Sequence, residues 1–314
     1  VRLRTRLAAL GLRRHEVQRA VNTLAWADVL VWNPAGEFHP TRDWEVVLRL
    51  MVLLRAAERL GTKTVVVNHS LETSDPLLDA VIRHAYSGAS LVFVRGARSY
   101  ANARALGVAA ERLVEAPDLV FLLAGSEPPG DSRPPAAVPP GAIVLAVNAE
   151  SAPRAVDEWD ALFAGLRRLG RPVVFLSNAA KLDLPASERW AARHGFAVER
   201  SQPGFRELMD AVAPAGVVVS SRLHAAILGL CRGVPVVAIE PQQFKLTEVM
   251  EQLRYPLAAE HPGVTGWADR VLGRVATALE TRDELARTTA AAVERQAEDI
   301  RRAYRPLVDM LAAV

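Results

Sequence analysis

Short apolar runs rich in β-branched residues alternate with longer amphipathic stretches along the chain. The runs span Asp28–Trp32, Thr64–Asn68, Ser90–Arg95, Ile143–Asn148, Val173–Ser177, Gly216–Ser220 and Val234–Ile239. A run that is apolar at nearly every position, rather than at every second one, is typical of a strand buried on both faces of a parallel sheet. The pattern therefore predicts parallel β-structure in both halves of the chain.

Amphipathic stretches between the runs are long enough for crossover helices. Trp44–Leu60 and Val156–Leu169 carry apolar residues at helical spacing, and Gly61 and Gly170 follow their last periodic positions. Glycine is preferred just beyond a helix because it adopts the left-handed conformation at little cost. The alternation of strands and helices predicts an α/β fold with doubly wound, mostly parallel sheets.

Length and one break in composition divide the chain. At about 150 residues per domain, 314 residues favour two domains. Six prolines and three glycines fall within residues 124–141, which excludes a helix or a central strand there. We predict Rossmann-like domains over 1–123 and 142–282, a linker over 124–141 and helices over 283–314, with the two sheets facing across a ligand cleft. The alternative for 124–141 is a surface loop within one large sheet.

Charge and hydropathy exclude several kinds of partner. The net charge of +3 does not provide the concentrated basic surface that nucleic-acid binding requires. No run reaches the roughly 18 apolar residues of a membrane-spanning helix, and the arginines before Asp28 leave no apolar segment for a signal peptide. The expectation is a cytoplasmic protein without a nucleic-acid partner. The same arginines predict either a weak contact with the inner face of the membrane or a solvated helix face.

Metal and cysteine chemistry are poorly represented. Cys231 is the only cysteine, and the seven histidines are scattered without H-x-x-x-H or H-E-x-x-H spacing. This pattern excludes a disulfide framework and a cysteine-based zinc site, and predicts no metal. The usual glycine-rich signatures of dinucleotide and nucleoside triphosphate sites and the G-x-S-x-G sequence of hydrolases are missing as well.

The sharpest local signal lies where the run Gly216–Ser220 meets the next helix. Ser220 or Ser221 is predicted to cap that helix, and Arg222 and His224 fall in its first turn. A helix N-terminus that carries a guanidinium and an imidazole suits a phosphate or a carboxylate. In the alternative interpretation, Arg222 pairs with a surface glutamate and His224 is packed in an interface.

Further polar residues follow the other predicted strands. Because the carboxyl ends of parallel strands share one edge of a sheet, such residues are candidate ligands. The candidates are Asn33, Gly36, His69, Arg95, Asp118 and Lys245. Ser99 is predicted to cap the helix that follows Arg95. For Lys245 the alternative is a solvated side chain, and each of the other candidates also fits a structural role in a turn. For Asp118 a hydrogen bond to local backbone is the larger expectation.

Taken together, these segments resemble the polysaccharide pyruvyl transferase family. The segments that carry the resemblance are Asp28-Val-Leu-Val31, Arg95 with Ser99, Leu106-Gly107, Ala116-Pro-Asp-Leu-Val-Phe121, Ser221-Arg-Leu-His224, Gly233-Val-Pro235 and Lys245. The resemblance implies a GT-B-like fold of two Rossmann-like domains, the first on the acceptor side and the second on the donor-phosphate side. It implies transfer of a pyruvyl group from phosphoenolpyruvate to hydroxyls of a sugar, forming a pyruvate ketal.

The start of the chain departs from the family pattern. The glycine-asparagine-glycine-aspartate turn that usually opens the first domain has no counterpart before Asp28, and Asn33-Pro-Ala-Gly36 stands where a glycine triplet is expected. The first domain is therefore expected either to be truncated at its N-terminus or to belong to a divergent branch.

The resemblance also implies roles for the candidate residues. Arg222 would hold the phosphate or share it with the carboxylate, His224 would be the general acid, and Asp118 or His69 would be the base. The implied substrate-binding residues are Ser221, Lys245, Arg95, Ser99, Asn33, Gly36 and His69. Phosphoenolpyruvate is the donor substrate, no cofactor or metal is implied, and the acceptor is a sugar or lipid-linked saccharide of cell-envelope polysaccharide synthesis.

Two other functions stay open. A GT-B glycosyltransferase or a sugar-nucleotide epimerase would share the fold but bind a nucleoside diphosphate, with Glu240 as the candidate ribose ligand. A non-catalytic sugar- or phosphate-binding module would keep the binding site without the reaction.

Overall fold

The computed structural model describes residues 14–34, 44–72, 75–126, 138–148, 156–176, 180–200, 204–241 and 244–313. The chain forms two compact units. Unit 1 comprises Val1–Leu119 and Glu298–Val314, and unit 2 comprises Val120–Ala297. Most of the predicted linker, residues 127–137, lies outside the described residues. The linker and the domain boundaries around it therefore stay predictions.

Unit 1 contains a parallel sheet of four described strands in the order β1-β2-β3-β4. Its strands are β1 (Val29–Trp32), β2 (Lys63–His69), β3 (Leu91–Arg95) and β4 (Leu113–Ala116). Its helices before the crossing to unit 2 are α1 (Arg14–Trp26), α2 (Trp44–Arg59), α3 (Pro76–Tyr86) and α4 (Gly96–Ala105). The core lies between sheet and helices, with Leu54, Ile82 and Val92 among its fully buried side chains.

Unit 2 contains a parallel sheet of five described strands in the order β7-β6-β5-β8-β9. Its strands are β5 (Ile143–Ala146), β6 (Val173–Phe175), β7 (Ala197–Val198), β8 (Val217–Ser220) and β9 (Val236–Ala238). Its helices are α5 (Val156–Arg168), α6 (Ala180–His194), α7 (Phe205–Val212), α8 (Leu223–Cys231), α9 (Lys245–Gln252), α10 (Trp267–Glu280) and most of α11 (Arg282–Ala303). Trp159, Phe163 and Trp267 pack together at the centre of its core.

The C-terminal helices return the chain to unit 1. The end of α11 and all of α12 (Arg305–Ala312) belong to that unit. Tyr304, between the two helices, stacks on Phe93 of β3 with ring centroids 4.2 Å apart. An offset aromatic stack of this kind adds to the apolar area that the contact buries, so it helps hold the end of the chain on the sheet of unit 1.

The predicted alternation of strands and helices is confirmed. Each of the seven predicted strands is present, with ends shifted by at most about two residues, as expected of boundaries read from patterns. Gly61 (φ +86°) and Gly170 (φ +67°) adopt the predicted left-handed conformation after their helices. The pattern missed β4 and β7. Both are edge strands with partly exposed residues, so neither has a continuous apolar run.

Among the described residues, every helix is too short or too polar to span a bilayer.

Candidate functional site

The carboxyl end of β8 leads into α8 through a turn that two serines hold in place. The Ser220 hydroxyl accepts the Arg222 N–H at 3.0 Å and lies 3.2 Å from the Ala146 carbonyl. The Ser221 hydroxyl accepts the N–H of Asn148 at 2.8 Å, which links the turn to the segment after β5. The prediction that one of these serines caps the helix is wrong. Arg222 is the N-cap residue, and no side chain caps the helix at that position.

The N-terminus of α8 is oriented by this turn. The first intrahelical hydrogen bond runs from the Ala226 N–H to the Arg222 carbonyl at 3.1 Å, so the amides of residues 223–225 precede the helical ladder. The amides at a helix N-terminus carry partial positive charge and favour an anion. His224 lies in the first turn of α8, as predicted, whereas Arg222, predicted in the same turn, precedes the first helical residue as the N-cap.

Arg222 is held by an aspartate from a different helix. Its Nε donates to Asp183 Oδ2 at 2.9 Å, and its Nη2 donates to Oδ1 of the same carboxylate. The Asp183 side chain is fully buried, whereas that of Arg222 is 23% exposed. The interpretation in which Arg222 pairs with a surface glutamate is therefore wrong in its partner, which is a buried carboxylate in the first turn of α6.

His224 lies in the first turn of α8 and contacts an aromatic ring. Its imidazole meets Phe205 edge-on, with centroids 5.3 Å apart and an interplanar angle of 77°. Phe205 begins α7 and is 45% exposed. His224 as a whole is half-buried, and its Nε2 atom is buried.

The next strand end of unit 2 brings Glu240 and Lys245 to the start of α9. Glu240 Oε2 accepts the N–H groups of Leu246 and Thr247 at 2.5 and 3.2 Å, so its buried carboxylate caps the helix. Lys245 is the first residue of α9, as predicted. Glu240, the sequence-based candidate for a ribose ligand, is thus engaged with backbone amides.

In unit 1, Arg95 and Asp118 pair with each other. Arg95 Nη1 donates to Asp118 Oδ2, and the two side chains are 7% and 0% exposed. Arg95 ends β3 and Asp118 follows β4, and the parallel register places Arg95 beside Ala116. The expectation that Asp118 bonds mainly to local backbone misses this long-range partner.

Tyr304 lies next to this ion pair. Burial raises the pKa of the Tyr304 phenol, and the Asp118 carboxylate adds to the rise. A cluster of Arg95, Asp118 and Tyr304 therefore forms at the strand ends of unit 1. The sequence did not indicate Tyr304, because it lies far along the chain in a predicted helical region.

Ser99 lies inside α4 rather than at its start. The helix begins at Gly96, whose φ of +75° turns the chain sharply after β3. Ser99 is fully buried, and its hydroxyl accepts the Leu71 N–H at 3.1 Å. The predicted cap is therefore wrong, and Ser99 instead fixes the segment that follows β2.

His69 is a buried histidine at the end of β2. Its Nε2 lies 2.9 Å from the Tyr86 hydroxyl, and its ring meets that of Tyr86 edge-on. Burial, assisted by the positive charge of Arg95, lowers the pKa of His69 to about 3. The imidazole is neutral at physiological pH, and its full burial favours a structural role over the predicted one as base.

The remaining candidates lie at β1. Asn33 follows that strand and is exposed, and Gly36 lies outside the described residues. Within the described ranges, no group of three His, Cys, Asp or Glu residues could hold a metal ion. The structure thus brings together Ser221, Arg222 and His224 in unit 2, and separately Arg95 and Asp118 in unit 1. It adds Asp183 and Phe205, which no sequence pattern indicated.

Comparison with known proteins gives one family match. The family model described as polysaccharide pyruvyl transferase matches residues 3–243, about three-quarters of the chain. No curated protein sequence matches.

Solved structures similar to this chain have the GT-B fold. A UDP-N-acetylglucosamine 2-epimerase superposes with a TM-score of 0.64 at 13% identity, over 96% of this chain and 79% of that one. The structure of Anabaena Alr3699/HepE in complex with UDP superposes with a TM-score of 0.59 at 14% identity, over 95% of this chain and 82% of that one. A trehalose 6-phosphate synthase from Burkholderia multivorans superposes with a TM-score of 0.59 at 11% identity, over 96% of this chain and 78% of that one. The predicted GT-B-like class, with parallel sheets in two Rossmann-like units, is confirmed.

Proposed function

The chain belongs to the polysaccharide pyruvyl transferase family, and we propose that it transfers the pyruvyl group of phosphoenolpyruvate to two hydroxyls of a saccharide, forming a ketal. The observation that carries this proposal is the turn at the start of α8, where Arg222, His224 and the helix N-terminus meet. The acceptor is proposed to be a sugar or a lipid-linked saccharide.

Phosphoenolpyruvate fits the chemistry of that turn. It carries a phosphate and a carboxylate on adjacent positions of a small carbon skeleton, so it needs several donors within a short distance. A guanidinium binds such oxyanions with paired hydrogen bonds, and the first amides of α8 supply further donors. Arg222 is already oriented by Asp183, which reduces the entropy lost when it binds a ligand.

His224 is proposed as the general acid. Protonation of the methylene carbon of phosphoenolpyruvate leaves an oxocarbenium-like carbon, which the first sugar hydroxyl attacks. The second hydroxyl then displaces phosphate and closes the ketal. The hydroxyls lose two protons, and the methylene carbon and the departing phosphate gain one each, so the reaction is balanced. A histidine is suited to this transfer because an imidazolium donates a proton and the neutral imidazole that remains can accept one.

A second candidate is a sugar-nucleotide enzyme. The solved structures that favour it include one named for UDP-N-acetylglucosamine and one that contains UDP. The helix cap made by Glu240 gives that residue a structural role instead, because its buried carboxylate already accepts two backbone N–H groups through Oε2.

The test supplies the protein with labelled phosphoenolpyruvate or with UDP-sugars, in the presence of a panel of saccharides, and measures phosphate release and ketal formation. We expect phosphate and ketal when phosphoenolpyruvate is the donor, and no product when a UDP-sugar is the donor. Arg222→Ala should raise the KM for phosphoenolpyruvate or abolish turnover, and His224→Ala should lower kcat more than donor binding.

Matched controls are Arg287→Ala and His261→Ala, which remove exposed side chains of the same unit. Both should retain full activity. Turnover of a UDP-sugar with no reaction of phosphoenolpyruvate would replace the proposal by the second candidate, and full activity of His224→Ala would remove that residue from the mechanism.

A further inference from the structure

The buried carboxylate of Asp183 has a placement that the proposed reaction does not by itself require. Asp183 lies in the first turn of α6, 39 residues before Arg222, and its side chain is fully buried. An ionised carboxylate is costly to bury unless it is paired and hydrogen-bonded. The pairing with Arg222 offsets that cost, and it also constrains the guanidinium.

The geometry of the pair determines which edge of the guanidinium is occupied. The carboxylate oxygens accept from Nε and Nη2, a side-on arrangement in which two roughly parallel hydrogen bonds fix the plane of the group. The donors of Nη1 lie on the opposite edge of that plane. Because the Ser220 hydroxyl also fixes the Arg222 backbone N–H, both ends of this side chain are held.

We propose that Asp183 is a positioning residue for donor binding: it presents the Nη1 edge of Arg222 to the phosphate or carboxylate of phosphoenolpyruvate. The inference rests on the proposed function and deepens it. A guanidinium held in its binding orientation loses little conformational freedom when the anion arrives, whereas an unrestrained one must be ordered during binding. Asp183 acts through Arg222 and does not touch the substrate.

The test compares Asp183→Asn, Arg222→Ala and the double variant. The introduced amide keeps the shape of the carboxylate but replaces one acceptor oxygen by a donor, which faces the donors of Arg222. Asp183→Asn should raise the KM for phosphoenolpyruvate by about tenfold to a hundredfold, by analogy with the loss of a group that orients a metal-binding side chain, with a smaller change in kcat. In the Arg222→Ala background the same substitution should have no further effect on KM, or on the equilibrium binding of phosphoenolpyruvate if that variant no longer turns over, because the side chain through which Asp183 acts is gone.

Two further variants separate positioning from folding. Asp183→Glu keeps the charge and should recover part of the affinity, which a loss of structure alone would not predict. Asp210→Asn is the matched control, since it breaks another aspartate–arginine pair of unit 2, with Arg232, and should leave the KM unchanged. Thermal unfolding of each variant shows whether it is folded; if Asp183→Asn is not, the comparison rests on Asp183→Glu, whose KM should lie between those of the wild type and Arg222→Ala.

The outcomes distinguish this inference from the function on which it rests. If the wild type turns over phosphoenolpyruvate and Asp183→Asn has an unchanged KM, or lowers kcat/KM equally in both Arg222 backgrounds, the positioning role is overturned and the function stands. If the wild type has no such activity, stabilisation of the fold by inorganic phosphate is measured instead. That stabilisation should fall in Asp183→Asn and vanish in Arg222→Ala. A wild type that neither substrate nor phosphate affects overturns the function and this inference together.

Discussion

Asp118→Asn is the substitution that most directly tests the ion pair of unit 1. The Asp118 carboxylate is 0% exposed and the Arg95 side chain only 7%, so water has little access to replace the lost interaction. Removing one partner of a buried pair costs about 3–5 kcal/mol, because the other charge stays buried without compensation. We expect a loss of that size in the stability of unit 1.

Hydrogen exchange at the backbone amides of β3 and β4 is the appropriate assay. A chain with two compact units need not unfold in one step, so a single unfolding free energy is not well defined, whereas local protection reports the unit directly. The control is Asp309→Asn, which changes an exposed carboxylate of the same unit. It should change the free energy of opening measured by hydrogen exchange by no more than about 0.5 kcal/mol.

A double substitution distinguishes the stability lost with the Arg95–Asp118 ion pair from the cost of leaving one of its charges buried alone. The double variant Arg95→Met with Asp118→Leu removes both charges and keeps apolar volume, so it should be less destabilised than Asp118→Asn. A loss of unit 1 stability below about 1 kcal/mol in Asp118→Asn would refute the reasoning. So would a double variant whose loss of stability equals the sum of the losses in Arg95→Met and Asp118→Leu made separately. If Asp118→Asn is as stable as the wild type but inactive, the predicted role of Asp118 as base gains support instead.

Two further predictions concern stability. Tyr255→Phe should cost about 1–3 kcal/mol, because it leaves the buried Val236 N–H of edge strand β9 without the phenolic oxygen that accepts it at 2.9 Å; faster hydrogen exchange at that amide is the measurement. Lowering the pH should destabilise unit 1 through His69, whose pKa is about 3 when folded against 6.5 for the ordinary side chain. The unfolded chain then binds a proton that the folded chain rejects, so about 2 kcal/mol should be lost between pH 6.5 and 5, and a His69→Gln variant that retains the same pH slope would contradict this.

The local elements of this protein follow from sequence patterns alone. The apolar runs that became β2, β3, β5 and β8 are buried on both faces in the structure as their composition predicts. Gly61 and Gly170 end their helices for a reason that concerns only their own backbone. The sequence from β8 through Arg222 to His224 could also be predicted, because these residues are neighbours in the chain, whereas the bonds of Ser220 and Ser221 to the distant segment around β5 could not.

The partners of the charged residues were decided by tertiary structure. Arg222 meets Asp183, 39 residues away, and Arg95 meets Asp118, 23 residues away, only because the chain brings their elements side by side. Ser99 was predicted as a cap and became a buried acceptor, because Gly96 starts the helix earlier than the pattern shows. Periodicity reports which face of an element is buried, since burial recurs with the geometry of that element. It carries no information about which distant group lies opposite a given side chain, and in this protein that pairing sets the orientation of the candidate binding residues.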